Sequence, residues 1–189
     1  DLGLVATSMG APKSSPDGRW IACDTGDQPP AWASSGRIVL YAADGSGRTQ
    51  PLSRTPDGQS IPVGWSADRD EFVVVDASGA TAQLWALPLS GAAARQLTDS
   101  ALLKSLAATS DSGQIAFVGQ DFGRPNAVYL LDNATGRVSK VAQPLLPTAW
   151  PEAPLPRAEV VRWQAPDGLE IEGILVYPLD YQPGQRYPL

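Results

Sequence analysis

The chain alternates short apolar segments with polar turns that contain glycine, and this pattern occurs three times. A polar turn that runs directly into an apolar strand starts at Ser15, Ser66 and Ser110, so its copies lie 51 and 44 residues apart. About 20 residues later each copy is followed by a second apolar strand, at 38–41, 84–87 and 128–131. A short strand then closes each unit, at 50–53, 96–98 and 140–142.

Two further apolar segments, 61–65 and 102–107, precede the later copies and supply the first strands of their units. Four short strands in a period of about 40–50 residues are typical of one β-propeller blade. The predicted fold class is therefore all-β, a partial β-propeller of about three four-stranded blades at about 1–55, 56–99 and 100–145. Because a closed propeller needs about 4–8 blades, we expect this chain to be part of a longer polypeptide or to associate with a second fragment.

The pattern changes after the third unit. Five of the 14 residues in 143–156 are proline, and this predicts an extended connector over 146–157 because proline lacks the donor that a strand ladder uses. Two apolar segments, 159–164 and 169–177, then flank Pro166-Asp-Gly168 and predict a β-hairpin. Tyr187-Pro-Leu189 is predicted to begin another strand.

This tail resembles the entry to the catalytic domain of the prolyl oligopeptidase family. The matching elements occur in order: the Asp167-Gly168 turn, Gly173-Ile-Leu-Val-Tyr-Pro178 and Arg186-Tyr-Pro-Leu189, all after blade-like repeats. The resemblance implies that 158–189 forms the first strands of an α/β-hydrolase domain with a serine, an aspartate and a histidine as catalytic residues. It also implies a propeller that limits substrate size. None of the catalytic positions can be assigned to a residue of this chain.

Composition narrows the possible functions. The net charge of −6 argues against binding to nucleic acid or to an anionic membrane, since both require a basic surface. The chain contains no histidine, so it lacks the general base of Ser-His-Asp and Cys-His catalysis. With one cysteine and no histidine, no zinc site is predicted, and no cofactor is expected.

Several single residues are candidates for a site, and for each of them a structural role is favoured. Cys23 is expected to be a buried apolar residue rather than a nucleophile, and Trp32 in the loop 25–36 is expected to cover a neighbouring blade rather than a ligand. Asp17, Asp68 and Asp111 recur at equivalent turns, which favours turn formation over a calcium site. Asn133-Ala-Thr135 matches a glycosylation sequon, a triplet that is common by chance. Trp20, Trp65, Trp85 and Trp163 lie on predicted strands and are expected to pack.

The sequence thus predicts the substrate-gating propeller portion of a serine peptidase that hydrolyses short peptides, with the catalytic residues beyond this chain. One alternative is a non-catalytic bacterial propeller that binds a protein partner. Another is a cleaved product whose second fragment stays bound. Arginine outnumbers lysine 11 to 3, which suggests a GC-rich bacterial genome. A soluble protein of the cytoplasm or periplasm is expected, and the choice between acylaminoacyl, dipeptidyl, endo- and isopeptidase activity is open.

Overall fold

Every regular element that the structure describes is a β-strand. The computed structural model describes residues 10–26, 35–66, 70–99, 103–110, 112–121, 124–144 and 156–188. The strands within these ranges are β1 (Lys13–Ser14), β2 (Trp20–Gly26), β3 (Gly36–Ala42), β4 (Thr49–Pro51), β5 (Ile61–Trp65), β6 (Glu71–Ser78), β7 (Thr81–Pro88), β8 (Arg95–Gln96), β9 (Leu103–Thr109), β10 (Gln114–Asp121), β11 (Arg124–Asp132), β12 (Val138–Ala142), β13 (Ala158–Gln164) and β14 (Glu170–Val176).

These strands form three four-stranded sheets and one hairpin. Each four-stranded sheet is an antiparallel meander in chain order: β1–β4 form blade 1, β5–β8 form blade 2, and β9–β12 form blade 3. Strands β13 and β14 pair separately, from Ala158 opposite Val176 to Gln164 opposite Glu170. The prediction of three four-stranded units followed by a hairpin is therefore confirmed.

The repeated turn owes its shape to side chains that bond to the local backbone. In blade 1 the Ser15 hydroxyl donates to Asp17 Oδ1 at 2.6 Å and accepts from the Trp20 N–H at 2.9 Å. Asp17 Oδ1 also accepts from the Arg19 N–H at 3.0 Å, and Gly18 has a φ of 70°, which glycine adopts without a steric penalty. The aspartate at this position is thus fully engaged in the turn.

The core lies between the blades rather than inside any one of them. One apolar cluster joins blade 1 to blade 2 and consists of Ala22, Ile38, Leu40, Leu52, Phe72, Val74, Trp85 and Leu87. A second joins blade 2 to blade 3 and consists of Val63, Val73, Val75, Leu84, Ile115, Phe117, Ala127, Tyr129 and Leu131. Successive side chains of β6 enter alternate clusters, because the side chains of a strand alternate between its faces.

The far face of blade 3 is apolar but only half-buried. The cross-strand pairs Ala116–Leu130 and Val118–Val128 lie on the side of the sheet opposite Phe117 and Tyr129. Their side chains keep intermediate exposure, whereas Phe117 and Tyr129 are buried against blade 2 and stack with ring centroids 5.4 Å apart. Within the described residues, this face has no apolar layer of comparable depth against it.

The structure departs from the sequence expectation in the tail. Tyr187 and Pro188, predicted to begin a strand, have no regular secondary structure. Tyr187 folds back on the preceding loop, where its hydroxyl accepts from the Gln182 N–H at 2.9 Å and its ring lies 5.5 Å from that of Tyr181. A strand needs a neighbour to satisfy its backbone groups, and none of the described strands pairs with this segment.

We predict that Leu84→Ala destabilises the chain by about 2–5 kcal/mol, because it empties a fully packed position between blades 2 and 3. Leu84 has no exposed surface. Val141→Ala is the matched control: Val141 is 54% exposed on the outer strand of blade 3, and its truncation is expected to cost less than about 0.5 kcal/mol. Denaturant unfolding of both variants measures the difference, and equal destabilisation would contradict the inter-blade core.

Asp17 is expected to make the stability of the folded chain sensitive to acid. The Ser15 hydroxyl, the Arg19 N–H and the Arg19 guanidinium lower the pKa of Asp17 from 3.8 to about 2. A lowered pKa in the folded state means that the contribution of Asp17 to stability is complete above about pH 4 and is lost as the pH falls toward 2. We expect the stability difference between the wild type and Asp17→Asn to shrink over this interval in pH-dependent unfolding. A difference that stays constant would show that the charge of Asp17 does not stabilise the turn.

Candidate functional site

Asp17, Cys23 and Asn133, the candidates that lie within the described residues, occupy separate local environments and do not form a common site. Cys23 is buried in β2, as expected. Burial, and to a smaller extent the charge of Asp24, raises the pKa of its thiol. Trp32, Asp68 and Asp111 lie outside the described residues. No group of three or more acidic, cysteine or histidine side chains suited to a metal ion occurs in the part of the chain that the structure describes.

The sequon and one tryptophan also have definite positions. Asn133 is 6% exposed, and its amide donates to the Ser66 hydroxyl of blade 2 at 3.2 Å. This side chain therefore tethers blade 3 to blade 2, and in the folded chain it is not accessible for glycosylation. Trp163 is expected from the sequence to pack but is 49% exposed, although its ring lies over Gly173.

Asp76 is a buried carboxylate that sequence reasoning missed. It is 1% exposed and accepts hydrogen bonds from the Thr55 hydroxyl, from the Gln59 N–H at 3.2 Å and from the Ala77 N–H at 2.8 Å. The Ser60 hydroxyl lies 3.4 Å from the same carboxylate. Most of these donors belong to the segment 52–60 that joins blade 1 to blade 2, so Asp76 fixes the connector between two blades.

The Asp76 network predicts a large effect on stability. Asp76→Ala removes the acceptor of the buried Thr55 hydroxyl and of the part-buried Gln59 and Ala77 N–H groups. An unsatisfied buried donor costs about 1–3 kcal/mol, so we expect a loss of about 3 kcal/mol. Asp70→Asn is the control, because Asp70 is an exposed carboxylate just before the same strand, and its change is expected to stay within about 0.5 kcal/mol. Chemical denaturation measures both. A similar effect of the two substitutions would mean that the buried network contributes little.

The three blades present two ends, and the hairpin occupies one of them. At one end, Trp20 at the start of β2 lies near Glu71 at the start of β6 and Pro88 at the end of β7, around a groove between blades 1 and 2. At the other end, Gly26 at the end of β2 lies near Ile61 at the start of β5. The turn between β6 and β7, at 79–80, belongs to this second end and contacts the hairpin.

The contact between the hairpin and blade 2 centres on Glu172. The Ala80 N–H donates to Glu172 Oε2 at 2.8 Å, and the Arg162 side chain donates to Glu172 Oε1 at 2.5 Å. The Ala80 N–H, which has the larger effect, and Arg162 both lower the pKa of Glu172. Glu172 and Arg162 also line a cleft of about 470 Å³ with Val160 of the hairpin and with Ser78, Ala80, Thr81, Gln83, Gln96 and Asp99 of blade 2.

The second end also carries a smaller polar pocket between blades 1 and 2. It encloses about 250 Å³ and is lined by Asp24, Thr25, Gly26, Ser35, Gly36, Gln59, Ser60 and Ile61. Asp24 Oδ1 is buried without a hydrogen-bond partner among the described residues. Its neighbour is the backbone of Gly10, whose close approach leaves no room for a side chain at position 10.

The hairpin itself carries polar and aromatic groups beside its base. The Arg157 guanidinium donates to Glu159 at 2.6 Å and lies 4.6 Å from the ring centre of Tyr177. The Tyr177 hydroxyl donates to the other oxygen of Glu159 at 2.5 Å. The Tyr177 hydroxyl, which has the larger effect, and Arg157 both lower the pKa of Glu159. The group keeps β13 and β14 in register, and neither Arg157 nor Tyr177 lines the cleft at Glu172.

No protein-family model matches the sequence, and a search of curated proteins finds no match either. Solved structures do match. A variant of the AtxE2 isopeptidase with Astexin3-dC4 bound has a TM-score of 0.69 and 17% identity, with 90% of this chain and 26% of that chain covered. A putative TolB from Agrobacterium tumefaciens has a TM-score of 0.60 and 21% identity, with 93% of this chain and 61% of that chain covered.

A puromycin hydrolase variant complexed with PGG has a TM-score of 0.53 and 20% identity, with 97% of this chain and 36% of that chain covered. In each case this chain spans less than two thirds of the other protein. Among the residues that the structure describes, no helix is long and apolar enough to cross a membrane. At identities this low the comparisons show the fold: the chain forms part of a β-propeller, and its fold is similar to parts of the isopeptidase, the puromycin hydrolase and the putative TolB.

Proposed function

We propose that this chain is the substrate-gating propeller portion of a prolyl oligopeptidase-like serine peptidase that hydrolyses short peptides. The observation that carries the proposal is the position of the hairpin. It follows blade 3 in the chain and lies at one end of blade 2, bonded through Glu172 to the Ala80 N–H. A catalytic domain that begins with this hairpin would lie over that end of the propeller and restrict which substrates reach it.

The apolar surfaces that remain half-covered support the same proposal. The far face of blade 3 presents Val118, Val128 and Leu130 with intermediate exposure, and stacked repeats need neighbours to cover such faces. On the hairpin, Val160, Ile174 and Val176 are 42%, 41% and 51% exposed. Two-stranded hairpins are only marginally stable alone, so further strands of a hydrolase domain would supply the missing layer. We assign blades to about 1–55, 56–99 and 100–145, the connector to 146–157 and the hydrolase strands to 158–189.

The chemistry in this proposal is supplied by residues outside the chain. With no histidine present, the serine, its histidine and the supporting acid would come from the remainder of the same polypeptide or from a second fragment. Peptide is the expected substrate, in keeping with peptidases among proteins of similar fold. A bacterial cytoplasmic or periplasmic location belongs to the proposal and is open between the two compartments.

A fluorophosphonate probe, which labels activated serine nucleophiles, tests the proposal. We expect the parent polypeptide that carries this chain to be labelled when native and not after heat denaturation. The 189-residue chain alone is the matched control and is expected to remain unlabelled and inactive on short chromogenic peptides. A native parent that resists the probe and leaves peptides intact would overturn the proposed peptidase function.

A non-catalytic propeller that binds a protein partner is the second candidate. The fold is shared with a putative TolB, at a TM-score of 0.60, as well as with hydrolases, and a fold does not by itself imply catalysis. This second candidate predicts a folded parent protein without probe labelling that nevertheless retains a protein partner, so the same labelling experiment separates the two candidates.

A further inference from the structure

Glu172 links two elements that are distant in the chain. Its carboxylate on β14 lies 92 residues from Ala80, whose N–H it accepts. Each oxygen has its own donor, because Arg162 on the neighbouring strand bonds to Oε1 while Ala80 bonds to Oε2. The side chain of Glu172 is 21% exposed, against 66% for Glu170 on the same strand. The acid at 172 is therefore held in place, whereas the acid at 170 projects into solvent.

The turn that receives Glu172 is shaped for it. Gly79 has a φ of 57°, a conformation that L-residues adopt only at a cost, and a Cβ atom at this position would overlap the Glu172 carboxylate. Gly91, in the next turn of the same blade, has a φ of 81°, but a Cβ atom there would meet nothing within 4 Å. A side chain at position 79 would therefore be strained by the backbone conformation and would displace the Glu172 carboxylate from the turn.

Both donors bind the charged carboxylate more strongly than its neutral form. The backbone N–H and the guanidinium favour the anion and lower the pKa of Glu172 from its ordinary value of 4.5. A group with a lowered folded-state pKa contributes its interaction above the ordinary value and loses it as the pH falls through the lowered one. The other charged groups around the contact are Arg162, Glu170 at 3.8 Å from Arg162, and Asp99 on the wall of the cleft.

We propose that Glu172, oriented by Arg162, is an acid-released clasp that holds the hairpin on the Gly79–Ala80 turn of blade 2. While the clasp is closed, the hairpin supplies one wall of the cleft of about 470 Å³, with Val160 facing Thr81 and Gln83 of blade 2. When Glu172 is protonated, its bonds to Ala80 and Arg162 weaken, the hairpin leaves the turn, and the cleft loses one of its walls. In this role Glu172 and Arg162 are positioning residues, and the inference does not depend on the proposed peptidase activity.

Amide hydrogen exchange at Ala80 is the first test. Glu172→Ala lies far from position 80 in sequence and leaves the intrinsic exchange rate of that amide unchanged, so any acceleration reports loss of the bond. We expect exchange at Ala80 to become about tenfold faster or more. Glu170→Ala removes the same charge from the same strand without touching blade 2 and is expected to leave Ala80 protected. Unchanged protection in Glu172→Ala would overturn the clasp.

A spin label at the tip of the hairpin tests whether the clasp positions it. Leu169 is 64% exposed and Cys23 only 4%, so Leu169→Cys can be labelled selectively. The label then lies about 10 Å along the strand from Glu172. We expect the label to broaden the amide NMR signals of the 79–80 turn in the chain with no further substitution and in Glu170→Ala, but not in Glu172→Ala. Broadening that persists in Glu172→Ala would show that other contacts hold the hairpin.

Glycine substitutions and pH complete the experiment. Gly79→Ala is expected to abolish the broadening, whereas Gly91→Ala is expected to retain it. The double variant Gly79→Ala/Glu172→Ala is expected to lose no more broadening than either single variant, because the two residues belong to one contact. In the labelled chain with no further substitution, the broadening is expected to disappear as the pH falls below 4.5. Glu172→Gln lacks the negative charge at every pH and so matches the protonated carboxyl, and its broadening is expected to be weak and independent of pH. An acid transition that survives in Glu172→Gln would assign the release to another group and overturn the proposal.

Discussion

The structure depends on the burial of blade 2 on both of its faces. Phe72 and Val74 of its second strand enter the cluster shared with blade 1, while Val73 and Val75 enter the cluster shared with blade 3. Apolar burial is the largest favourable term in folding, and here it acts between sheets. Each blade is therefore stable only as part of a stack. Among the described residues, blade 3 has a neighbouring blade on one side, and its other apolar face is half-exposed for this reason.

Polar side chains fix how the blades follow one another. Asp17 organises a turn within blade 1, whereas Asp76 organises the connector from blade 1 to blade 2 and Asn133 joins blade 3 to blade 2. An apolar layer has no directional preference of its own, and hydrogen bonds do. These groups thus set the register between sheets that hydrophobic contact alone would leave free.

The hairpin is attached in a different way. Its link to the blades is a carboxylate and a backbone N–H rather than an apolar layer, and several of its apolar side chains remain exposed. An element attached through a charged hydrogen bond can be released by a change in protonation without disturbing the core. In a peptidase of the proposed kind, this places the adjustable contact at the junction with the catalytic domain and the rigid contacts within the propeller.

The elements that could be predicted from the sequence are those whose causes are local. The period of the apolar strands and the polar turns between them predicted the three sheets and the hairpin, because strand alternation and turn geometry depend on residues close together in the chain. Which face of each strand is covered depends on tertiary packing, so Trp163 on a predicted strand is half-exposed while Trp85 is buried. The roles of Asp76 and Glu172 also follow from the tertiary structure alone. A carboxylate within an apolar strand is visible in the sequence, but its donors lie 17 and 92 residues away, and pairings over such separations arise from the packing of the sheets.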